Sequence, residues 1–160
     1  MLGALMLDDR AWDRVADMIV AEDFYRRDHR LIFNAIGELA ERGQPCDAVT
    51  VSEFLSRRSE LEGAGGLAYL GTLAKNTPTA ANIKAYADIV REKSVMRQLI
   101  QVGNKIAAGG YDSEGRDTSQ LLDQAEKLVF DIAEQGKRGK RGFRSIRSLL
   151  ATAVDRIDYL

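Results

Sequence analysis

The chain has 160 residues, 45% of them hydrophobic and 29% charged, with two prolines and a formal net charge of −1. That length supports one real core but is short for separate cofactor and substrate domains, and the composition excludes a disordered chain. No run approaches the roughly 18 apolar residues of a membrane span, and with one cysteine, Cys46, and one histidine, His29, a disulfide framework or structural zinc site is excluded on stoichiometry.

The opening "MLGALML" lacks a basic preceding region and a cleavage site, and Asp8 and Asp9 follow at once, so a cytoplasmic protein is expected. Net charge conceals an asymmetry. Residues 1–136 carry 16 Lys+Arg against 22 Asp+Glu, whereas residues 137–160 carry 7 against 2.

In chain order, Leu2, Leu5 and Met6 predict a short helical turn, and Asp8 to Val20 set Trp12, Val15, Met18 and Ile19 at helical spacing. In "HRLIFNAIGELAERG", Leu31, Ile32, Ala35, Ile36 and Leu39 share a face, with Asp28 as the expected N-cap and Gly43 as the stop. Thr50 and Glu53 have capping-box spacing at the head of a helix that carries Val51, Phe54 and Leu55. "GAGG" then breaks the chain before a short helix in "LAYLGTLAKN".

After Thr77-Pro78, Ile83, Tyr86, Ala87 and Val90 lead into Val95, Leu99, Val102 and Ile106 along one helix of about 28 residues. "GGYDSEGRD" turns the chain, and from an Asp117 N-cap the same rhythm returns at Leu121, Ala125, Leu128 and Ile132. Two long amphipathic helices joined by a short turn predict an antiparallel hairpin. Ser145 caps a last helix of about four turns with Ile146, Leu149, Leu150, Ala153, Val154 and Ile157 on one stripe. The segment before it, Gly136 to Phe143, has a coil reach of roughly 15 Å.

The expected fold is all-α: a small helical bundle with a protruding antiparallel hairpin over 1–135, a flexible basic linker over 136–144 and an amphipathic helix over 145–160.

Motifs for catalysis are lacking. "GKRGKRG" fails the P-loop in both spacing and terminal hydroxyl, and no strand precedes it. His29 reads as an exposed or cap-interacting histidine, and the pairs Asp8/Asp9 and Glu22/Asp23 as solvated helix-end charges. The aromatics Trp12, Phe24, Tyr25, Phe33, Phe54, Tyr69, Tyr86 and Phe130 read mostly as core. Function is therefore expected in surfaces. The basic stretch Lys137, Arg138, Lys140, Arg141, Arg144 and Arg147 reads first as a solvated hinge and second as a grip on DNA phosphates, which would make the chain a stand-alone nucleic-acid-binding module.

The stretches "LGALMLDDRAWDRVAD", "EDFYRRDHRLIFNAI", "GGLAYLGTLAKNTPTAANIKAYADIVREKSVMRQLI" and "SIRSLLATAVDRIDYL" resemble, in that order, the N-terminal domain and linker region of bacterial replicative DNA helicases of the DnaB type. The resemblance covers nearly the whole chain and implies part of a hexameric ring that encircles single-stranded DNA. ATP and magnesium would be used only in a C-terminal RecA-like domain lying after Leu160, so no cofactor is expected in these residues. The family usually has further residues before the position of Leu2, so the start is expected to be clipped.

The resemblance further implies head-to-head pairing through Val95, Leu99, Val102, Ile106, Leu121, Leu128 and Ile132, and a collar of three such pairs. It implies docking of the C-terminal domain of a DnaG-type primase near Tyr86, Tyr111 and Leu122, and a helicase loader as a further partner. The last helix would pack on an adjacent subunit's ATPase domain through Ile146, Leu149, Leu150 and Ile157.

Overall fold

The computed structural model describes residues 1–137, and every regular element within them is helical. The helices are α1 (Leu2–Leu7), α2 (Ala11–Val15), α3 (Arg27–Glu41), α4 (Ala48–Arg57), α5 (Gly66–Lys75), α6 (Ile83–Tyr111) and α7 (Thr118–Gly136), with a 3-10 turn at Ala21–Asp23. The expected last helix, with Ile146, Leu149, Leu150 and Ile157, lies outside the described residues, as do Arg138, Lys140, Arg141, Arg144 and Arg147. The chain forms two compact units, Met1–Ser94 and the residues from Val95 onward. Their division falls inside α6.

In the first unit, α1 packs on α3 and α5, and α4 packs on the same two helices. Leu5, Ile19, Ile32, Ile36, Val51, Leu55, Leu70 and Ile83 are fully buried there, and each such side chain contributes about 1.5–3 kcal/mol relative to exposure. Close approach needs glycine at one point. A Cβ on Gly3 would lie 2.2 Å from the Leu73 carbonyl oxygen of α5, so α1 can only dock at this depth without a side chain there. Trp12 lies over Gly37 of α3 in the same way, and its ring centroid is 5.2 Å from that of Phe33.

The helix ends follow local chemistry. α3 stops at Gly43, whose φ of +66° lets the Gln44 N–H reach the Leu39 carbonyl at 2.9 Å, as the sequence predicted. Its start differs from expectation: Arg26 is the N-cap, and Asp28 sits inside the first turn, accepting from its own neighbours Arg26 and His29. Thr50 and Glu53 form no capping box either. Asp47 caps α4, taking the Val49 and Thr50 N–H groups at 2.9 and 3.0 Å and the Thr50 hydroxyl at 2.9 Å, while Glu53 pairs with Arg57. Those hydrogen bonds, the Thr50 N–H first among them, hold the Asp47 carboxyl below the usual carboxylate range.

The helix expected over Asp8 to Val20 is broken, leaving only α2. Asp8 turns its carboxylate onto the Arg10 N–H at 2.9 Å, and after Val15 the chain closes a tight turn that carries Ile19 into the core.

Asp23, read as a solvated helix-end charge, and His29, read as exposed or cap-interacting, are both more enclosed than that. Asp23 is only 2% exposed and meets Arg91 and Ser94 of α6. His29 is half-buried, with its Nε2 2.7 Å from the Tyr69 hydroxyl and its ring parallel to that of Tyr69. Burial, opposed in part by Asp28, lowers the His29 pKa. A group that binds its proton more weakly when folded makes stability fall as pH drops from about 6.5 toward the folded value. His29→Gln is therefore expected to flatten the urea-midpoint profile between pH 7 and 5, and an unchanged slope would contradict the buried placement.

Cys46 is buried, its N–H donates to Asp9 at 2.9 Å, and burial followed by the charges of Asp9 and Asp47 pushes its thiol up to about 11. On the order of one molecule in a thousand then carries the thiolate at pH 8. Alkylation of the native chain by iodoacetamide should be slow and accelerate sharply in urea; equal rates in both would place Cys46 at the surface.

Candidate interaction surface

The second unit is an antiparallel hairpin of the later part of α6 and α7. Its tip is defined by Glu114 and Gly115, both at positive φ (50° and 81°), after which Asp117 and Gln120 exchange hydrogen bonds of 2.8 and 3.0 Å in a capping box. Asp117 was the cap the sequence predicted. Arg116 fastens the turn, donating from Nε to the Ser113 carbonyl at 3.0 Å and from Nη1 to Gln124 of α7.

The apolar stripe read from periodicity divides into two groups. Val102, Leu128 and Ile132 line one cleft of about 180 Å³ between the helices, and Ile106, Leu121 and Leu128 line another of about 190 Å³ nearer the tip. Ile132 is buried and Val102, Leu121 and Leu128 are half-buried, so these side chains hold the hairpin closed; Val95, also half-buried, lines neither cleft. Leu99 and Ile106 remain exposed.

Four exposed apolar residues accompany them that the stripe omitted: Met96 and Ile100 on α6, and Val129 and Phe130 on α7. Ile100 and Phe130 are each 61% exposed. Phe130 thus leaves the core assignment that its spacing suggested, and so does Tyr25 in the first unit, which is also exposed. The signal was present as a second periodicity: Met96 and Ile100 stand four apart, beside rather than on the row through Val95 and Val102.

Of the residues expected to meet a partner, Tyr111 is 95% and Leu122 65% exposed, both in the second unit, whereas Tyr86 packs against the core of the first. Lys137, at the end of α7, lies 3.9 Å from Glu134. Among the described residues, no group of three or more His, Cys, Asp or Glu side chains is placed to hold a metal ion, and no helix is long and apolar enough to cross a membrane.

A helical bundle whose chain continues into a hairpin carrying exposed apolar side chains defines an all-α helical domain. The chain belongs to the DnaB-like helicase N terminal domain family, which matches residues 1–92. It is 42% identical over 160 residues to the replicative DNA helicase DnaB of Haemophilus influenzae, covering 100% of this chain and 34% of the relative. It is likewise 42% identical over 135 residues to the replicative DNA helicase DnaC of Bacillus subtilis, covering 84% and 30%. The chain therefore spans about a third of the length of the curated relatives it matches.

Among solved structures, the N-terminal domain of DnaB helicase from Mycobacterium tuberculosis is similar with a TM-score of 0.77 at 40% identity, over 81% of this chain and 91% of that one. A DnaB-like replicative helicase, described together with its interactions with primase, shares the fold at a TM-score of 0.64 and 20% identity, over 99% of this chain and 36% of that one.

Proposed function

We propose that this chain is the N-terminal assembly and primase-recruitment part of a hexameric replicative DNA helicase that unwinds duplex DNA at the bacterial replication fork. The observation that carries the assembly role is the exposed apolar face of the hairpin, with Met96, Leu99, Ile100, Val129 and Phe130 outside its own packing. Two copies pair through this face, and three pairs make a collar. Burial of large apolar side chains drives the association, and closed symmetry limits it to a ring.

ATP hydrolysis, with magnesium, belongs on this reading to the remainder of the longer protein, as do passage of single-stranded DNA and contact with a loader. The chain's own residues contribute geometry and recruitment instead. The neighbour whose primase interactions are described supports primase as the partner, and Tyr111 and Leu122 at the hairpin tip offer it exposed apolar contacts. Tyrosine is among the usual anchors of an interface.

Calorimetric titration of the chain with the C-terminal domain of its primase tests recruitment. Tyr111→Ala and Leu122→Asp are each expected to weaken binding about tenfold, or ~1.4 kcal/mol. Undiminished affinity in both variants would remove the tip from the recruitment surface.

A further inference from the structure

A groove of about 370 Å³ opens on the first unit beside the C-terminal ends of α3 and α4. Its lining combines the apolar side chains of Leu39, Pro45 and the half-buried Phe54 with the arginines Arg42, Arg57 and Arg58. The guanidinium carbons of Arg42 and Arg58 stand 5.8 and 4.4 Å from the centre of the Phe54 ring. Arg58 donates through both terminal nitrogens to the Glu38 carboxylate at 2.7 and 2.6 Å, which fixes its plane over the ring. Arg57 donates to Glu53 at 2.6 Å, and Arg42 lies 3.7 Å from Glu38.

These ion pairs are solvent-exposed, so a competing carboxylate can enter them with little loss. Each guanidinium has five N–H donors, so Arg58, held by Glu38 through two of them, keeps others for a second carboxylate, and a side chain already held in place loses less freedom when it binds. We propose that this groove docks an acidic peptide segment of a partner protein. Its carboxylates meet Arg42, Arg57 and Arg58, and one apolar side chain rests on Leu39, Pro45 and the edge of Phe54.

Two features favour a peptide over nucleic acid. Cations already occupy the Phe54 ring, where a base would need an open face to stack. Glu38 and Glu53 interrupt the positive charge of the arginines, which disfavours an unbroken run of phosphates but leaves room for spaced carboxylates.

The test uses the full 160-residue chain and a fluorescein-labelled hexapeptide, Asp-Asp-Leu-Asp-Asp-Phe, read by fluorescence anisotropy. Saturable binding is expected, weakened about tenfold or more by Arg58→Ala and by Arg42→Gln, and less by Arg58→Lys, which keeps the charge without the fork. Arg27→Ala, at an exposed arginine at the start of α3, should leave affinity unchanged. Circular dichroism melts confirm that each variant is folded.

Lack of saturable binding overturns the proposal. Equal loss in Arg27→Ala overturns it too, since binding would then follow bulk charge. Stronger, Arg58-dependent binding of an oligothymidylate would overturn it in favour of nucleic acid.

Discussion

Asp23→Ala is expected to destabilise the chain by about 3–5 kcal/mol, because it removes one partner of a buried charge pair and strands the other. One oxygen of Asp23 accepts from the Val20 N–H at 2.8 Å and stands 3.6 Å from Arg91 Nη1; the other accepts from the Ser94 hydroxyl at 2.9 Å. Arg91 also donates to the Met18 carbonyl at 3.2 Å, and both charged side chains are buried. The pair thereby joins the 3-10 turn to α6 within the first unit.

Against a typical domain stability of about 5–15 kcal/mol this loss is large. It should appear as a lower urea midpoint with little change in slope. Asp23→Asn, which keeps an acceptor but not the charge, should fall between the two. Glu22→Ala, one residue earlier and exposed, should stay within about 0.5 kcal/mol of the parent. A loss below about 1 kcal/mol for Asp23→Ala would mean that the pair is hydrated rather than buried.

The second large effect concerns pairing. Leu99→Glu and Phe130→Glu each place an uncompensated charge on the exposed apolar face, so a self-associated species should dissociate at least tenfold more readily, or ~1.4 kcal/mol and upward. Because these positions are exposed in the single chain, the melting temperature of the isolated unit should change little. Leu128→Glu should behave differently. Leu128 lines both clefts within the hairpin, so a charge there should unfold the hairpin itself and lower helicity along with mass. Sedimentation equilibrium with circular dichroism separates the two cases. Full retention of mass in Leu99→Glu and Phe130→Glu would exclude this face from pairing.

Most of the helices were legible because their apolar periodicity is long and their ends carry unambiguous residues. Gly43 and Asp117 are examples, since a left-handed stop favours glycine and Asp117 stands three residues before a glutamine able to return its hydrogen bond. Competition between neighbours was harder to read. Thr50 and Glu53 have the right spacing, yet Asp47 stands three residues earlier, caps the helix there, and takes the Thr50 N–H that Glu53 would have to accept in a capping box. The early end of α2 at Val15 depends on a tight turn closed by the Met18 N–H on the Val15 carbonyl, which the helical spacing of Met18 and Ile19 does not reveal.

The interaction surface was legible only in part. Periodicity identified apolar positions on α6 and α7 but could not say which side of each helix faces the other, and so it merged Ile132, which closes the hairpin, with Leu99, which does not. Asp23 looked like its exposed neighbour Glu22 because nothing local announces a partner some seventy residues away, at Arg91 and Ser94.

Assembly through the hairpin and recruitment of primase are tested together by one quantity, the mass of the particle in solution. The most direct measurement is light-scattering mass after size exclusion, with and without the primase C-terminal domain. A dimer or larger species is expected, with a mass that rises when primase is added. A monomer at all accessible concentrations that ignores primase would contradict both assembly and recruitment.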